Sequence, residues 1–307
     1  MTLVQPASSP NRKVCQPLLP AHLEYKTNQE NKVLTSTSLS SSGYYPPTPP
    51  PTFVTHTLLP PSSRAITVRL VGKSPLWGHL LWNASRICAN YIQTHAAELV
   101  RGRTVLEFGA GAGLPGLLCA ALGAAAVVLT DYPDPDLVEN LEYNKSHAFS
   151  DDTPQSQSQT TQRDDVDVPE ADNVDAAAIT ARITCTGYRW GAEAAPLLAL
   201  LPPNSSGYDT LILSDLLFNH VQHPALLQSI RLMLAKPHGV ALVFFTPHRP
   251  WLYDADMNFF TLVRETGDMD VTQVLEHKMD KAMFDADRGD ENVRRMVYGF
   301  RVTWKKE

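Results

Sequence analysis

The sequence predicts an α/β fold, an open seven-stranded sheet that is mostly parallel and ends in a closing antiparallel strand pair. Three observations carry this. From residue 66 onward, short apolar runs rich in β-branched residues alternate with segments of helical apolar spacing; a glycine-rich turn joins the first buried strand to the next helix; and the last two strands follow each other without a long helix between them. Strands that alternate with helices form a parallel sheet covered on both faces, whereas strands joined directly pair antiparallel.

The elements follow in order. Leu81, Ala84, Ser85, Cys88, Tyr91 and Ile92 recur on one helical face, which predicts a helix over 79–97. Thr104–Phe108 reads as a short buried strand and 109–116 as a glycine-rich turn, with Pro115 at the start of a helix, where its missing N–H is tolerated. A second strand covers 126–130. Asp134 has the character of an N-cap and Pro135 of a first helical residue, and Leu137, Val138 and Leu141 give that helix its buried stripe. Strands resume at 182–186, 210–214 and 240–246, and the closing pair is expected at 271–278 and 293–304.

Of 307 residues, 43% are apolar and 19% charged, enough for one domain with an ordinary core. Eleven of the 24 prolines precede residue 64, so 1–64 is expected to be a disordered Ser/Pro-rich tail and proline linker, with the folded domain at 65–307. A disordered acidic insert is expected at 146–180. It carries eight acidic residues and one basic, against a net charge of −6 for the chain, so the remaining body is close to neutral. A near-neutral body offers no phosphate-neutralising face, and no direct nucleic-acid binding is expected. No apolar run reaches the ~18 residues that span a bilayer, and the N-terminus has no signal-peptide pattern. Four cysteines without a CxxC read as free thiols of a reducing compartment. A cytoplasmic monomer is expected. His220 and His223 have no third ligand at metal spacing, so no metal is expected.

The central signal is Val105-Leu106-Glu107-Phe108-Gly109-Ala110-Gly111-Ala112-Gly113-Leu114-Pro115-Gly116, with Asp131 ending the next strand. Gly111, Gly113 and Gly116 match the Rossmann-type G-x-G-x-x-G fingerprint. Three details oppose a dinucleotide. Glu107, near the strand end, repels a pyrophosphate and attracts a cation; Pro115 removes an amide where phosphate binds helices; and a helix with two tryptophans precedes the strand. S-adenosylmethionine fits better. It has no phosphate, its cationic end needs the close backbone approach that glycine permits, and its ribose diol suits a carboxylate at the position of Asp131. A ligand-free tight turn, Asp131 as a simple charge at a helix N-terminus, a nicotinamide-dependent oxidoreductase, and an interaction protein recruited through the 46–51 proline run are the competing readings.

Ser74-Pro75-Leu76-Trp77-Gly78-His79-Leu80-Leu81-Trp82-Asn83-Ala84, the glycine loop and Thr130-Asp131-Tyr132-Pro133-Asp134-Pro135 together resemble the fungal elongation-factor methyltransferases. These are seven-β-strand protein N-terminal and lysine methyltransferases, earlier described as nicotinamide N-methyltransferase-like. Ser214-Asp215-Leu216-Leu217-Phe218-Asn219-His220 is similar to the Asp-x-x-Phe/Tyr motif of the wider lysine methyltransferase family, and Thr246-Pro247-His248-Arg249-Pro250 and Met296-Val297-Tyr298-Gly299-Phe300 also match. The resemblance covers about 65–307 apart from the insert. It implies a Rossmann-like class I methyltransferase sheet and S-adenosylmethionine as cofactor. It further implies that Trp82 lines the cofactor pocket, that Gly109, Ala110 and Gly111 pass under the methionine moiety, and that Asp131 holds the ribose. Trp190 would lie against adenine and Ser214 would line the pocket. The implied substrate is translation elongation factor 1-alpha, modified at its N-terminal glycine and the adjacent lysine; a small-molecule N-methyltransferase acting on a nicotinamide-like amine is the alternative.

Methyl transfer to an amine is mostly positioning and desolvation. The amine must first lose a proton, which is easier for an α-amine near 8 than for a lysine near 10.4. Asp215 is the expected catalytic residue, orienting the amine or drawing off its proton, and the ring of Phe218 is a candidate face for a methylated ammonium.

Overall fold

A computed structural model of the chain describes residues 49–62, 64–74, 77–149, 175–203, 205–284 and 286–306. The expected tail up to residue 48 and the 150–174 part of the expected insert lie outside the described residues. A hairpin of β1 (Thr52–Thr57) and β2 (Ala65–Leu70) precedes α1 (Asn83–Thr94) and the single turn α2 (Ala96–Leu99). There follow β3 (Thr104–Phe108), α3 (Leu114–Ala121), β4 (Ala126–Asp131), α4 (Pro135–His147), α5 (Ala176–Thr180), β5 (Ile183–Gly187) and α6 (Ala195–Leu198). The chain continues through β6 (Thr210–Ser214), α7 (His223–Met233), β7 (Val240–Phe245), α8 (Tyr253–Glu265), β8 (Met269–Lys278), α9 (Glu291–Arg294) and β9 (Met296–Trp304).

The seven-stranded sheet has the order β5-β4-β3-β6-β7-β9-β8. Its first five strands are parallel, and β9 pairs antiparallel with both β7 and β8. The seven strands, alternation and closing pair expected are those of this sheet; the β1–β2 hairpin lies outside it. The chain winds outward from β3 through β4 to β5, then restarts at β6 on the other side of β3. That switch in order opens a crevice beyond the carboxyl ends of β3 and β6, where open α/β sheets take ligands. β3 and β6 are buried at every residue. One apolar cluster packs α1 and α3 on one face, and a second packs α7 and α8 on the other. Among the described residues no helix is long and apolar enough to cross a membrane.

The boundaries differ from expectation for identifiable reasons. Thr52–Thr57, assigned to the tail and linker, is a strand paired in register with Ala65–Leu70. Flanking prolines hide a run of Thr, Phe and Val, residues that favour strands. The first helix starts at Asn83 rather than 79 because Trp82 is its extended N-cap, with φ −68° and ψ 146°. At the insert, α4 continues to His147 and α5 covers Ala176–Thr180, so both ends of 146–180 are helical. The last strand begins at Met296 because Asp290 caps α9, accepting from the Asn292 N–H at 2.8 Å.

The hairpin is fastened to α4 through Arg69. Asn144 accepts from the Arg69 N–H at 2.7 Å and donates to the Arg69 carbonyl at 2.9 Å and to the Ala112 carbonyl at 3.0 Å. Asn140 accepts from Arg69 Nε at 2.8 Å, and the guanidinium carbon lies 3.7 Å from the centre of the Tyr143 ring. Asn144 thus joins the hairpin, α4 and the glycine loop in one buried knot. Asn144→Ala should cost about 2–3 kcal/mol, because buried backbone groups lose their partners. A urea denaturation curve measures this; an unchanged midpoint contradicts it.

Candidate functional site

β3 ends at Phe108 and the backbone turns through Gly109, Gly111 and Gly113, with φ of 54°, 57° and 78°. These left-handed values suit glycine, and Gly113 is the N-cap of α3. Ala110 donates its N–H to the Thr130 carbonyl at 2.9 Å, which pins the turn to β4. A Cβ on Gly109 would lie 2.6 Å from Leu216 Cδ2 and 3.4 Å from Trp190 Cζ2. The glycine loop, the turn after β6 and Trp190 therefore converge at one point. A Cβ on Gly111 would meet nothing within 4 Å among the described residues, so the loop borders open space there.

Asp131 closes the second side. Its Oδ2 accepts from the Gly111 N–H and its Oδ1 from the Tyr132 N–H, both at 2.7 Å. The side chain is buried, and no basic group pairs with it among the described residues. Burial raises its pKa, while the two N–H bonds oppose the rise. Each carboxylate oxygen keeps accepting capacity for a further donor. The Asp131 carbonyl accepts from the Tyr188 N–H at 2.7 Å, and the Gly191 N–H donates to Ser229 Oγ at 2.8 Å. These bonds fix the segment that carries Trp190.

At the end of β6, Ser214 has a buried Oγ without a hydrogen-bond partner among the described residues. Asp215 follows with φ 60°, rare for a residue with a side chain. Its N–H donates to the Phe244 carbonyl at 2.7 Å. Asp215 Oδ1 accepts from the Thr246 N–H at 3.1 Å, and Oδ2 lies 2.9 Å from His248 Nε2. Burial disfavours charge on His248, but the Asp215 carboxylate, joined by Asp256 and Asp287, offsets it and the imidazole pKa is raised. The Trp82 ring packs edge-on against His248 at 4.9 Å and against Phe284 at 5.9 Å.

Glu107 does not face this space, contrary to the electrostatic role read from the sequence. It is buried, and its Oε2 accepts from the Gly116 N–H at 2.8 Å, inside the first turn of α3. Burial pushes its carboxyl up to about 8, partly opposed by the Gly116 bond. It braces the loop from beneath. Since the folded pKa lies above the ordinary ~4.3, the folded state holds a proton that the unfolded state has lost, and stability falls as pH rises through that window. Glu107→Gln keeps an acceptor for Gly116 and removes the titration. The variant should gain on wild type by up to ~1.4 kcal/mol per pH unit between pH 4.5 and 8. Parallel pH-dependent denaturation series check this; curves of equal slope contradict it.

A sequence profile for the family described as Lysine methyltransferase matches residues 71–160. Full-length relatives extend the match. A protein N-terminal and lysine N-methyltransferase efm7 from Aspergillus fumigatus is 41% identical over 85% of this chain and 91% of its own length. The corresponding proteins of Neurospora crassa and Schizosaccharomyces pombe are 43% and 37% identical, each over 85% of this chain, covering 85% and 92% of themselves. The chain belongs to the EFM7 family of protein N-terminal and lysine N-methyltransferases.

S-adenosylmethionine is the methyl donor of this methyltransferase, and the site fits it. The open space beside Gly111, the buried carboxylate of Asp131 with accepting capacity to spare, and the unpartnered hydroxyl of Ser214 are the features a phosphate-free nucleoside with a cationic end requires. The contacts bring together Gly109, Ala110, Gly111, Asp131 and Trp190 on one side, and Trp82 with Asp215 on the other. His248 and Phe284 belong to the second group and were not singled out as site residues from sequence; the only signal for His248 was its place in Thr246-Pro247-His248-Arg249-Pro250. His220 and His223 use their Nε2 atoms on Asp256 at 2.7 Å and on the Leu217 carbonyl at 2.8 Å. No group of three or more His, Cys, Asp or Glu suited to a metal occurs among the described residues.

Proposed function

We propose that the protein transfers methyl groups from S-adenosylmethionine to the N-terminal glycine and the adjacent lysine of translation elongation factor 1-alpha, in the cytoplasm and as a monomer. The observation that carries the donor half of this reading is the pairing of Asp131 with the glycine loop, which leaves a desolvated carboxylate beside open space. The substrate half rests on the motifs shared with the elongation-factor methyltransferases and on the names of the relatives, which specify both an N-terminal and a lysine amine.

In this reading Gly109, Ala110 and Gly111 let the backbone approach the methionine portion, and Asp131 accepts from the ribose hydroxyls. Trp190 lies along the base, and Ser214 and Trp82 complete the wall. Bound S-adenosylmethionine supplies an electrophilic methyl on a sulfonium. The chain's part is to hold the amine in line with that methyl and exclude water from it, the positioning that dominates such displacements. Asp215, at the tip of β6, sets negative charge where the substrate ammonium arrives. Mass spectrometry of elongation factor 1-alpha from cells with and without this protein tests the substrate. Loss of methyl groups from the N-terminal amine and its neighbouring lysine is expected; an unchanged pattern overturns the assignment.

A further inference from the structure

We propose that the Asp215–His248 pair is the proton acceptor of the transfer, with His248 Nδ1 taking the proton from the incoming ammonium and Asp215 acting as the positioning residue that aims the ring. This deepens the reading under Proposed function and rests on it.

The geometry separates the two roles. Asp215 has both oxygens engaged, Oδ1 with the Thr246 N–H and Oδ2 with His248 Nε2. A carboxylate only accepts, so Nε2 carries the ring proton and the lone pair of the neutral imidazole falls on Nδ1. Among the described residues Nδ1 has no hydrogen-bond partner. The ring is held from three directions. Its backbone N–H donates to the Thr246 carbonyl at 2.8 Å, Trp82 packs against it at 4.9 Å, and Asp215 grips Nε2. The side chain retains 17% exposure, an open edge through which a proton can leave. Asp215 reaches Nε2 from a left-handed backbone, the kind of strain kept where a side chain must be aimed. Leu216, the next residue, lies against the glycine loop at Gly109, so the pair borders the same space as the donor cradle.

The charged groups around the ring favour this use. Asp215 at the end of β6, Asp256 on α8 and Asp287 before α9 all act to raise its pKa, while burial opposes them. His220 is bound to Asp256, and Arg249 donates from Nη2 to the Phe218 carbonyl at 2.6 Å rather than to any of these carboxylates. A base tuned upward from ~6.5 is better matched to an α-amine near 8 than is a carboxylic acid of ordinary strength near 4. The balance is simple. An N–H bond of the ammonium breaks and leaves its electron pair on nitrogen, and the proton bonds to Nδ1. The amine pair then forms the N–CH3 bond while the C–S bond breaks with its electrons on sulfur. The imidazolium finally releases its proton to water.

The test compares wild type, His248→Gln and Asp215→Asn on recombinant elongation factor 1-alpha with a free N-terminal glycine, alongside titration of S-adenosylmethionine. His248→Gln should bind the donor within threefold of wild type, lose about 10²–10³-fold in kcat, and move the acid limb of its kcat/KM pH profile up toward the amine's own pKa near ~8. Asp215→Asn removes the carboxylate that raises the imidazole pKa. The active neutral ring then persists to lower pH, and the acid limb moves down. Turnover by His248→Gln within threefold of wild type, with an unmoved acid limb, overturns the proposal. Should that variant not fold, an unmoved limb in Asp215→Asn overturns it by itself. Donor binding without methylation by the wild type would sink the substrate reading, and the proposal with it. An active wild type with unmoved variant profiles would sink the pair alone.

Discussion

Asp131→Asn is expected to weaken S-adenosylmethionine binding by about 10²-fold or more while leaving the fold within about 1 kcal/mol of wild type. A hydrogen bond to a charged group contributes roughly 1.5–3 kcal/mol, and a ribose diol makes two, so loss of the charge removes at least ~2.7 kcal/mol of binding. The effects on the free protein oppose each other. Asparagine still offers one acceptor, for Gly111 or for Tyr132, but sets an amide donor against the other N–H. It also removes a charge that burial disfavours, as the raised pKa of Asp131 records. Isothermal titration with a parallel thermal melt separates affinity from stability. Normal donor affinity in this variant would show that the ribose is held elsewhere.

Gly109→Ala should damage both fold and site. The backbone there has φ 54°, and the added Cβ would meet Leu216 Cδ2 at 2.6 Å. A left-handed alanine costs about 1–2 kcal/mol and overpacking a further 1–3, so a loss of about 2–5 kcal/mol is expected. Leu216 must move, and Asp215 is its neighbour, so kcat should fall along with stability. Gly111→Ala is the informative contrast. Its φ of 57° carries similar strain, yet its Cβ meets nothing. That variant should lose only about 1–2 kcal/mol of stability but lose donor binding, because the methyl enters the space the ligand needs. Urea denaturation together with donor titration on both variants checks the pair. Equal effects on stability and binding at the two positions would mean that Gly111 does not border the ligand.

The sheet was legible because its signals are local. β3, β4, β6 and β7 are buried apolar runs bounded by glycine, proline or polar turns, and Asp134 with Pro135 marks the start of α4 as plainly as a cap can. What escaped depended on partners distant in sequence. Thr52–Thr57 is a strand only because Ala65–Leu70 lies beside it, and the prolines on either side suggested linker. Glu107 sits one residue before the end of β3, so its side chain faces the underside of α3 rather than the crevice that Gly109 opens. Sequence position alone does not reveal that alternation at a strand tip.

The site shows the same division. Gly109 and Gly111 lie about 20 residues before Asp131, after one strand and at the end of the next, a spacing that a motif can report. The Asp215–His248 contact spans 33 residues and two strands. It forms because β6 and β7 are parallel neighbours whose ends lie side by side, with Ser214 opposite Phe244. Asp215 must also take a left-handed backbone to reach the ring; aspartate tolerates that better than most residues, but its enrichment there is too weak to place one residue from sequence. Trp82 was named from sequence as a pocket residue, but its packing against His248 and Phe284 was invisible without the fold.

A crystal structure with S-adenosylhomocysteine tests the account most directly. Both ribose hydroxyls should lie within hydrogen-bonding distance of Asp131, the amino-acid end along Gly109 to Gly111, and the sulfur turned toward Asp215 and His248. A ligand whose ribose lies away from Asp131, or whose sulfur faces away from the β6 and β7 tips, would contradict it.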